Sequence, residues 1–269
     1  MKLTEHTTPQ AKNYQCNKCK AIFCIMSDMI FGNCMEQMLK IPEGYVNLTL
    51  TDIPYNGVTK TGEERAKYLG QLRKLDKQDA DILKFDLNNF LKEVWRVTNG
   101  TIIIFCGHSQ FSEIFSFFKD KQEKKMGTVR QLVWAKTNPS PMNGEFIYLS
   151  AVENAIWFRK SNGTFNAKCK KNYFIYPVGR SKLHPTEKNH ELLRELILDN
   201  SNSGEIVFDP CMGSGSHLLV ANQEGRRILG IELSEEYFKI ANERLSKLNY
   251  GNDGIPPKPK DLGILPNFI

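Results

Sequence analysis

A carboxylate, a proline and an aromatic ring follow one another where an apolar stretch of the sequence ends. Val46–Leu50 predicts a short strand, and the next residues, TDIPYNGV over Thr51–Val58, include Asp52, Pro54 and Tyr55. A carboxylate accepts hydrogen bonds strongly, proline stiffens the backbone, and an aromatic face stacks against flat ligands. Turn residues at a strand end are also ordinary, so the stretch alone fits both a functional loop and a plain strand-to-loop exit.

A second stretch, EIVFDPCMGSGS over Glu205–Ser216, joins an apolar strand to a glycine loop that opens a helix. Gly213 and Gly215 let backbone approach a ligand closely, and the helix N-terminus offers unpaired N–H groups. The stretch is neither a Walker phosphate loop nor a GxGxxG fingerprint. The next strand ends at Glu232, about 20 residues beyond the loop, where a carboxylate can hold ribose hydroxyls. This ordered set predicts a site for a nucleoside-type cofactor.

Positive charge is concentrated between Arg159 and Lys182, where seven basic residues and no acidic one stand among four aromatic residues. Basic groups neutralise phosphates and aromatic faces accept unstacked bases, so the segment favours binding of nucleic acid. The candidate contacts are Lys168, Lys170, Lys171, Arg180 and Lys182. A solvated loop whose aromatic rings belong to the core would have the same composition, and that alternative stays open.

The overall composition is that of an ordinary globular protein, with 269 residues, 41% hydrophobic, 25% charged and a net charge of +6. No apolar run approaches the roughly 20 residues of a membrane span, and the N-terminus lacks an apolar signal core, so we expect a cytoplasmic location. Cys16-x-x-Cys19, with Cys24 and Cys34 later, is a weak zinc signal because a second CxxC pair is missing. We therefore expect free thiols and no metal.

Alternating apolar and helical patterns predict an α/β fold, with a mostly parallel sheet flanked by helices. Several apolar segments are continuous aliphatic runs such as TIIIF and ILGI, which suit strands that are covered on both faces. The predicted strands are Met29–Gly32, Val46–Thr51, Thr101–Cys106, Gln131–Lys136, Glu153–Arg159, Glu205–Asp209 and Ile228–Glu232. The predicted helices are Phe85–Val97, Asn189–Asp199, Ser216–Gln223 and Ser234–Leu248. Ligands of such sheets bind at the carboxyl ends of the strands.

Taken together, the motifs resemble the amino-group DNA methyltransferases that use S-adenosylmethionine. FDPCMGSGS resembles their cofactor motif DPFxGSGT, TDIPY their catalytic tetrad Asp-Pro-Pro-Tyr, and LHPTEK their HPTxKP element. LVWAKTNPSP, MIFGNC and ILGIELSEEYFKIANERL resemble three further elements of that family. The tetrad precedes the glycine loop, as in the circularly permuted beta class. The resemblance covers roughly Ile25 to Leu248 and implies a seven-stranded, Rossmann-like class I methyltransferase fold.

The resemblance implies a catalytic role for the first stretch. Asp52 would accept an N–H hydrogen bond from an exocyclic amine and stabilise the charge that develops during methyl transfer. The backbone carbonyl of Ile53, or of the adjacent Pro54, would take the second N–H, and Tyr55 would stack on a base that has left the helix. Asp in the first position favours adenine N6, since the family's cytosine-N4 enzymes mostly begin the tetrad with Ser or Thr.

The resemblance also implies a binding site for S-adenosylmethionine. Its expected residues are Asn33, Cys34, Asp52, His184, Thr186, Lys188, Phe208, Asp209, Met212, Gly213, Gly215 and Glu232. Glu232 would bind the ribose hydroxyls, and Asn33 and Cys34 would lie near the adenine ring. Thr186 and Lys188 would contact the methionine carboxylate or stabilise the adjacent loop. An X-Pro turn before a helix is also common without any ligand.

The expected organisation is an N-terminal extension over 1–24, a catalytic domain over 25–250 and an extended tail over 251–269. Within the domain, polar Thr59–Ala80 predicts a mobile loop, and the basic segment 159–182 predicts a short element for recognition of DNA. The class often dimerises, so a homodimer is expected, without a membrane partner.

Three departures from the family pattern leave the groups that the chemistry needs in place. Ile53 replaces the first proline of the tetrad, which weakens its pre-organisation. Asn33 stands where the family often has Asp, and Asn189 where it usually has Pro. The alternatives are a DNA cytosine-N4 methyltransferase, a catalytically idle nucleic-acid-binding relative, and an enzyme that acts on RNA or protein glutamine.

Overall fold

The computed structural model describes residues 12–15, 22–25, 28–54, 85–141, 144–179 and 188–246. The strands are β1 Lys12–Gln15, β2 Ile22–Ile25, β3 Asp28–Phe31, β4 Val46–Asp52, β5 Thr98–Cys106, β6 Gly127–Lys136, β7 Val152–Lys160, β8 Tyr173–Tyr176, β9 Ile206–Asp209 and β10 Arg227–Glu232. The helices are α1 Cys34–Met38, α2 Leu87–Val97, α3 His108–Glu123, α4 His190–Asn200, α5 Ser216–Gln223 and α6 Glu235–Ser246. None of the helices in these ranges is long and apolar enough to cross a membrane.

Eight of the described strands form one mixed sheet in the order β3-β10-β9-β4-β5-β7-β6-β8. The five strands from β3 to β5 in that order pair in parallel, β7 runs antiparallel to both β5 and β6, and β8 is parallel to β6. β1 and β2 form a separate antiparallel hairpin. The expected α/β class is confirmed, and all seven predicted strands are present.

The predicted number of strands in the sheet was wrong, because β8 is an eighth strand inside the basic segment. β8 has only four residues, and Tyr173 and Ile175 are exposed on it while Phe174 is buried. Such a short edge strand, flanked by lysines, gives a weak apolar signal. Part of the segment predicted to recognise DNA is therefore built into the sheet.

Helices cover both faces of the sheet, which explains the continuous aliphatic runs. Ile102 and Ile104 of β5 belong to one buried cluster, and Ile103 and Phe105 to the other, as the alternation of side chains along a strand requires. α2 packs Leu87, Phe90, Leu91, Val94 and Val97 into the first cluster. α4 packs Leu192, Leu193, Leu196 and Ile197 into the second.

α3 was not among the predicted helices, although it has 16 residues. Its sequence, HSQFSEIFSFFKDKQE, is rich in Ser and Phe, which are weaker helix formers than Ala or Leu. Gly107 precedes it in the N-cap position, without the side-chain oxygen that marks most helix starts. The first turn of α3 adjoins the residues that follow β4.

The parallel register brings the candidate residues to one edge. β4 ends at Asp52, β9 at Asp209 and β10 at Glu232, and β9 lies between the other two. β3 ends beside Glu232, since Phe31 pairs with it, and Asn33 follows two residues later. The predicted catalytic and cofactor stretches therefore share the carboxyl edge of four neighbouring strands.

Replacement of Phe90 by Ala tests the buried face of α2. Phe90 is fully buried, so its truncation should lower the free energy of unfolding by about 3–5 kcal/mol. Exposed Lys92 on the same helix is the matched control, and Lys92→Ala should change that energy by less than about 0.5 kcal/mol. Urea denaturation followed by circular dichroism measures both, and equal losses would contradict the packing.

Candidate functional site

Asp52 forms one end of a chain of four charged side chains. Lys188, only 4% exposed, forms an ion pair with Asp52 and lies with its Nζ 3.0 Å from Glu153 Oε2. Lys136 Nζ lies 2.7 Å from Glu153 Oε1. The groups alternate in sign and their formal charges cancel, which is what burial of charged groups requires.

Glu153 joins the two lysines of this chain. Burial alone raises the pKa of its carboxyl, but the charges of Lys188 and Lys136 outweigh burial and hold that pKa below its usual value. Glu153 therefore stays ionised between the two lysines. Sequence analysis did not single it out, because a lone glutamate at a strand start carries no pattern.

Lys188 and Lys136 come from two separate motifs, HPTEK and WAKTN. Two residues of the second motif bind the end of β8 and the residues after it. Trp134 Nε1 donates to the Tyr176 carbonyl (2.9 Å), and Asn138 Oδ1 accepts from the Val178 N–H (2.6 Å). The WAKTN motif thus supports the edge of the sheet while its lysine belongs to the ion chain.

The backbone after Asp52 is fixed by two hydrogen bonds. The Ile53 N–H donates to the Phe105 carbonyl of β5 (3.3 Å), which extends the parallel ladder beyond β4. Gln110, in the first turn of α3, donates through Nε2 to the Pro54 carbonyl (2.8 Å). Sequence analysis missed Gln110, since the partners are 56 residues apart. Tyr55 lies outside the described residues, as does Thr59–Ala80.

The glycine loop after β9 has a buried anchor in Asp209. Its Oδ1 accepts from Thr51 Oγ1 (2.7 Å) and from the Cys211 N–H (3.0 Å), and its Oδ2 lies 2.5 Å from His217 Nδ1. Asp209 and Phe208 are fully buried. Thr51 directly precedes Asp52, which connects the predicted catalytic stretch to the glycine loop.

The loop itself requires its two glycines. Gly213 has φ +52° and Gly215 has φ +79°, a left-handed backbone that side chains disfavour. The Gly213 N–H donates to Glu232 Oε2 (2.8 Å), and Arg244 Nη1 donates to the Ser214 carbonyl (3.0 Å). The loop is thus held by β10 and α6, with Met212 buried beneath it.

Glu232 lies against this loop with both oxygens in use. Oε1 accepts from the Ser234 N–H (2.7 Å), and Oε2 from Gly213. Burial raises the pKa of the Glu232 carboxyl above its usual value, although these hydrogen bonds oppose the shift. A carboxylate offers about four lone-pair sites, so two bonds leave acceptors for further hydroxyl donors.

Asn33 and Cys34 follow β3 at the same edge. Asn33 Oδ1 accepts from the Met35 N–H (2.9 Å) and so caps α1. A hydrogen bond with Cys211 lowers the pKa of Cys34, and the same bond together with burial raises the pKa of Cys211. Cys34 therefore connects the end of β3 to the glycine loop. The described residues contain no group of three or more His, Cys, Asp or Glu able to hold a metal ion.

The basic segment contributes fewer free charges than its sequence suggests. Lys170 forms ion pairs with Glu195 (2.7 Å) and Asp199 of α4, and these raise its pKa although burial opposes the shift. Lys168 and Lys171 are exposed, and Lys171 Nζ donates to the Tyr173 hydroxyl (3.0 Å). His184, Thr186, Arg180 and Lys182 lie outside the described residues.

Two further surface features were not foreseen. A cavity of about 360 Å³ between β6, β7 and α4 contains Arg130, Arg159 and Phe165 in its wall, at the opposite end of β7 from Glu153. It is therefore separate from the edge that carries Asp52. The loop between β6 and β7 borders that edge and exposes 84% of Phe146 and all of Tyr148.

The family model described as DNA methylase matches residues 46–243 of the chain. The chain is 28% identical to the type II methyltransferase M.HinfI of Haemophilus influenzae, over 89% of this chain and 72% of that protein. It is 26% identical to the type II methyltransferase M2.DpnII of Streptococcus pneumoniae, over 83% of this chain and 91% of that protein.

Solved structures agree with these similarities. The M1.HpyAVI–SAM complex is 25% identical, with a TM-score of 0.59 over 81% of this chain and 98% of that one. The cytosine-N4-specific PvuII DNA methyltransferase has a TM-score of 0.61 over 84% of this chain and 89% of that one, but at 16% identity it supports the fold alone.

Replacement of Glu153 by Gln tests the ion chain. Because the pKa of Glu153 is lowered in the folded state, its stabilising contribution is present above the usual carboxyl pKa of 4.5 and is lost as the pH falls through the lower folded value. The free energy of unfolding should therefore differ most between wild type and Glu153→Gln at pH 7, and the difference should shrink below about pH 4.

Denaturant titrations at pH 7 and at about pH 3 measure that difference. Glu145→Gln, in the exposed loop between β6 and β7, is the control and should leave the free energy of unfolding unchanged at both pH values. A Glu153→Gln difference that is independent of pH would contradict an ionised Glu153.

Proposed function

Because the chain belongs to the DNA methylase family, we propose that it transfers a methyl group from S-adenosylmethionine to N6 of adenine in DNA. One observation carries the proposal: Asp52 ends the strand next to the glycine loop, and its neighbour Thr51 is hydrogen bonded to Asp209 at the base of that loop. An acceptor for the target amine and a cradle for the donor therefore share one edge. Similarity to type II methyltransferases supports the DNA substrate.

The chemistry needs a hydrogen-bond acceptor because the lone pair of an exocyclic amine is conjugated into its ring. Asp52, accepting one N–H, favours the pyramidal nitrogen that can attack and stabilises the positive charge that forms on it. S-Adenosylmethionine supplies a methyl group on a sulfonium; the new N–C bond forms as the S–C bond breaks, and the nitrogen then loses a proton. Tyr55 would stack on the extruded base, and Pro54 stiffens the backbone.

The ion chain gives Lys188 a role beside Asp52. Lys188 contacts the Asp52 carboxylate directly, so it orients that carboxylate toward one position. Glu153 balances the lysine, so the site does not gain a net positive charge that would repel a cationic donor. The expectation that Lys188 reaches the methionine carboxylate stays a prediction.

The described residues fit the donor. The left-handed backbone at Gly213 and Gly215 makes the tight turn of the loop, and a Cβ at Gly215 would meet Ala241 of α6 at 3.1 Å. Glu232 keeps hydrogen-bond acceptors for ribose hydroxyls. Asn33 and Cys34 lie beyond Glu232 on the neighbouring strand end, where the adenine ring of the donor would follow its ribose. His184 and Thr186 keep their expected roles as predictions.

DNA would lie across the edge that carries Asp52. Exposed Lys168 and Lys171, with Arg180 and Lys182, are the proposed phosphate contacts, whereas Lys170 is largely neutralised by α4. Asp52 favours adenine over cytosine N4 because a carboxylate is a stronger acceptor than the hydroxyl that mostly opens the tetrad of cytosine enzymes. A homodimer and a cytoplasmic location remain predictions.

Replacement of Asp52 by Ala should abolish methyl transfer, because the target amine loses its acceptor, while binding of S-adenosylmethionine changes by no more than about threefold. Purified protein is incubated with labelled donor and unmethylated genomic DNA, and the digested nucleosides are identified. Wild type should yield N6-methyladenine. Asp120→Ala, an exposed change on α3, is the control. Full turnover by Asp52→Ala would refute the assignment, and N4-methylcytosine would transfer the proposal to the cytosine reaction.

Binding of the donor should depend on the protonation of Glu232. Because burial raises the pKa of Glu232, the carboxylate is lost at a higher pH than for an ordinary glutamate, and hydroxyl binding weakens as the pH falls. Calorimetry between pH 8 and pH 5 should show falling affinity for wild type and for the exposed control Glu243→Gln. Glu232→Gln should bind about tenfold or more weakly at pH 8 and lose this dependence. An unchanged profile would contradict the ribose contact.

A further inference from the structure

The first turn of α3 contains a glutamine that uses both ends of its amide. Gln110 is 2% exposed; its Oε1 accepts from the Gly107 N–H (3.1 Å), and its Nε2 donates to the Pro54 carbonyl (2.8 Å). The first bond is the reciprocal half of a capping box, in which the third helical residue reaches back to the residue before the helix. The second bond has no function in capping.

The capping bond alone would not require glutamine. A glutamate caps in the same way, and its charge is favourable at the N-terminus of a helix. Only the amide offers a donor in addition to the acceptor, and this donor reaches the loop that follows Asp52. The requirement for glutamine therefore comes from Pro54.

Gln110 compensates for a missing proline. With Ile53 in place of the first proline of the tetrad, the backbone torsion φ at that position is no longer fixed by a ring. The structure instead holds Ile53 through its N–H bond to Phe105 and Pro54 through Gln110. The side chain of Ile53 is buried at 2% exposure, which adds a third restraint.

The carbonyls of Ile53 and Pro54, the two candidate acceptors for the second N–H of the amine, differ in their hydrogen bonds. The Pro54 carbonyl accepts from Gln110, whereas no described residue donates a hydrogen bond to the Ile53 carbonyl. A carbonyl that already accepts from a well-placed donor is a weaker acceptor for a second one, and the amine needs its second acceptor at a fixed position.

We propose that Gln110 is a positioning residue for methyl transfer, which holds Pro54 so that the Ile53 carbonyl, together with Asp52, receives the two N–H groups of the target amine. Gln110 does not touch the substrate; it acts through the backbone. The inference rests on the proposed function, because it concerns the amine that Asp52 binds.

Replacement of Gln110 by Met tests the proposal, since Met is of similar size and can neither cap nor donate. The value of kcat should fall about tenfold or more, while KM for DNA and Kd for S-adenosylmethionine stay within about threefold. Gln122→Met is the matched control: Gln122 lies on the same helix, and its side-chain Oε1 accepts from the Val129 N–H (2.9 Å), away from the residues that follow β4. It should retain the wild-type kcat.

Replacement of Gln110 by Glu separates positioning from capping. A carboxylate keeps the cap but has no proton for Pro54, whereas the protonated acid has one. The ratio of the kcat of Gln110→Glu to that of wild type should therefore rise as the pH is lowered from 8.5 to 6. Wild type, measured at each pH, corrects for the pH dependence of the reaction itself.

Each outcome decides the question. Wild-type kcat in Gln110→Met refutes the proposal. The proposal is also refuted if Gln110→Met and Gln110→Glu lose the same fraction of kcat at every pH while both bind S-adenosylmethionine more weakly and melt at a lower temperature. That result would indicate a structural role alone. If wild type itself methylates no DNA, the proposed function fails instead, so the two failures are distinguishable.

Discussion

The hydrogen bond from Thr51 to Asp209 is the constraint on which the site depends. Both residues are fully buried, and the bond joins the carboxyl ends of β4 and β9. The two bonded residues are 158 positions apart in the sequence. A buried carboxylate must keep such donors because an unmet charge in the interior is costly. The catalytic stretch and the glycine loop are therefore fixed relative to each other, whatever the surrounding loops do.

Two groups of partly or fully buried polar side chains flank the proposed reactive edge. On the proposed donor side, carboxylate oxygens of Asp209 and Glu232 accept hydrogen bonds from backbone N–H groups of the glycine loop and so shape it. On the substrate side, Asp52, Lys188, Glu153 and Lys136 form a chain of alternating charge. Neutrality of that chain matters, since a fixed excess charge would act on a cationic donor at short range.

The sequence alone predicted the sheet well, because strands covered on both faces must be continuously apolar. β8 was not predicted, because a strand of four residues with two exposed side chains does not form a continuous apolar run. Asp209 shows a different limit: the motif identifies the residue, but only the fold shows that its carboxylate faces Thr51 and His217 rather than a ligand.

Residues that act across the fold were beyond sequence reasoning. Glu153 and Gln110 belong to no local sequence pattern, and the role of each depends on contacts with residues that are distant in sequence. Lys188 was identified from its motif, yet its contact with Asp52 depends on how the chain before α4 returns to the end of β4. Spacing predicts which residues share an edge, whereas packing decides which atoms meet.

A crystal structure of the protein with duplex DNA and a non-reactive analogue of the methyl donor tests the central claim most directly. The account predicts an extruded adenine whose N6 lies within about 3.2 Å of both an Asp52 carboxylate oxygen and the Ile53 carbonyl, facing the donor above the glycine loop. A target base held elsewhere, with its N6 beyond hydrogen-bond distance of Asp52, would contradict it.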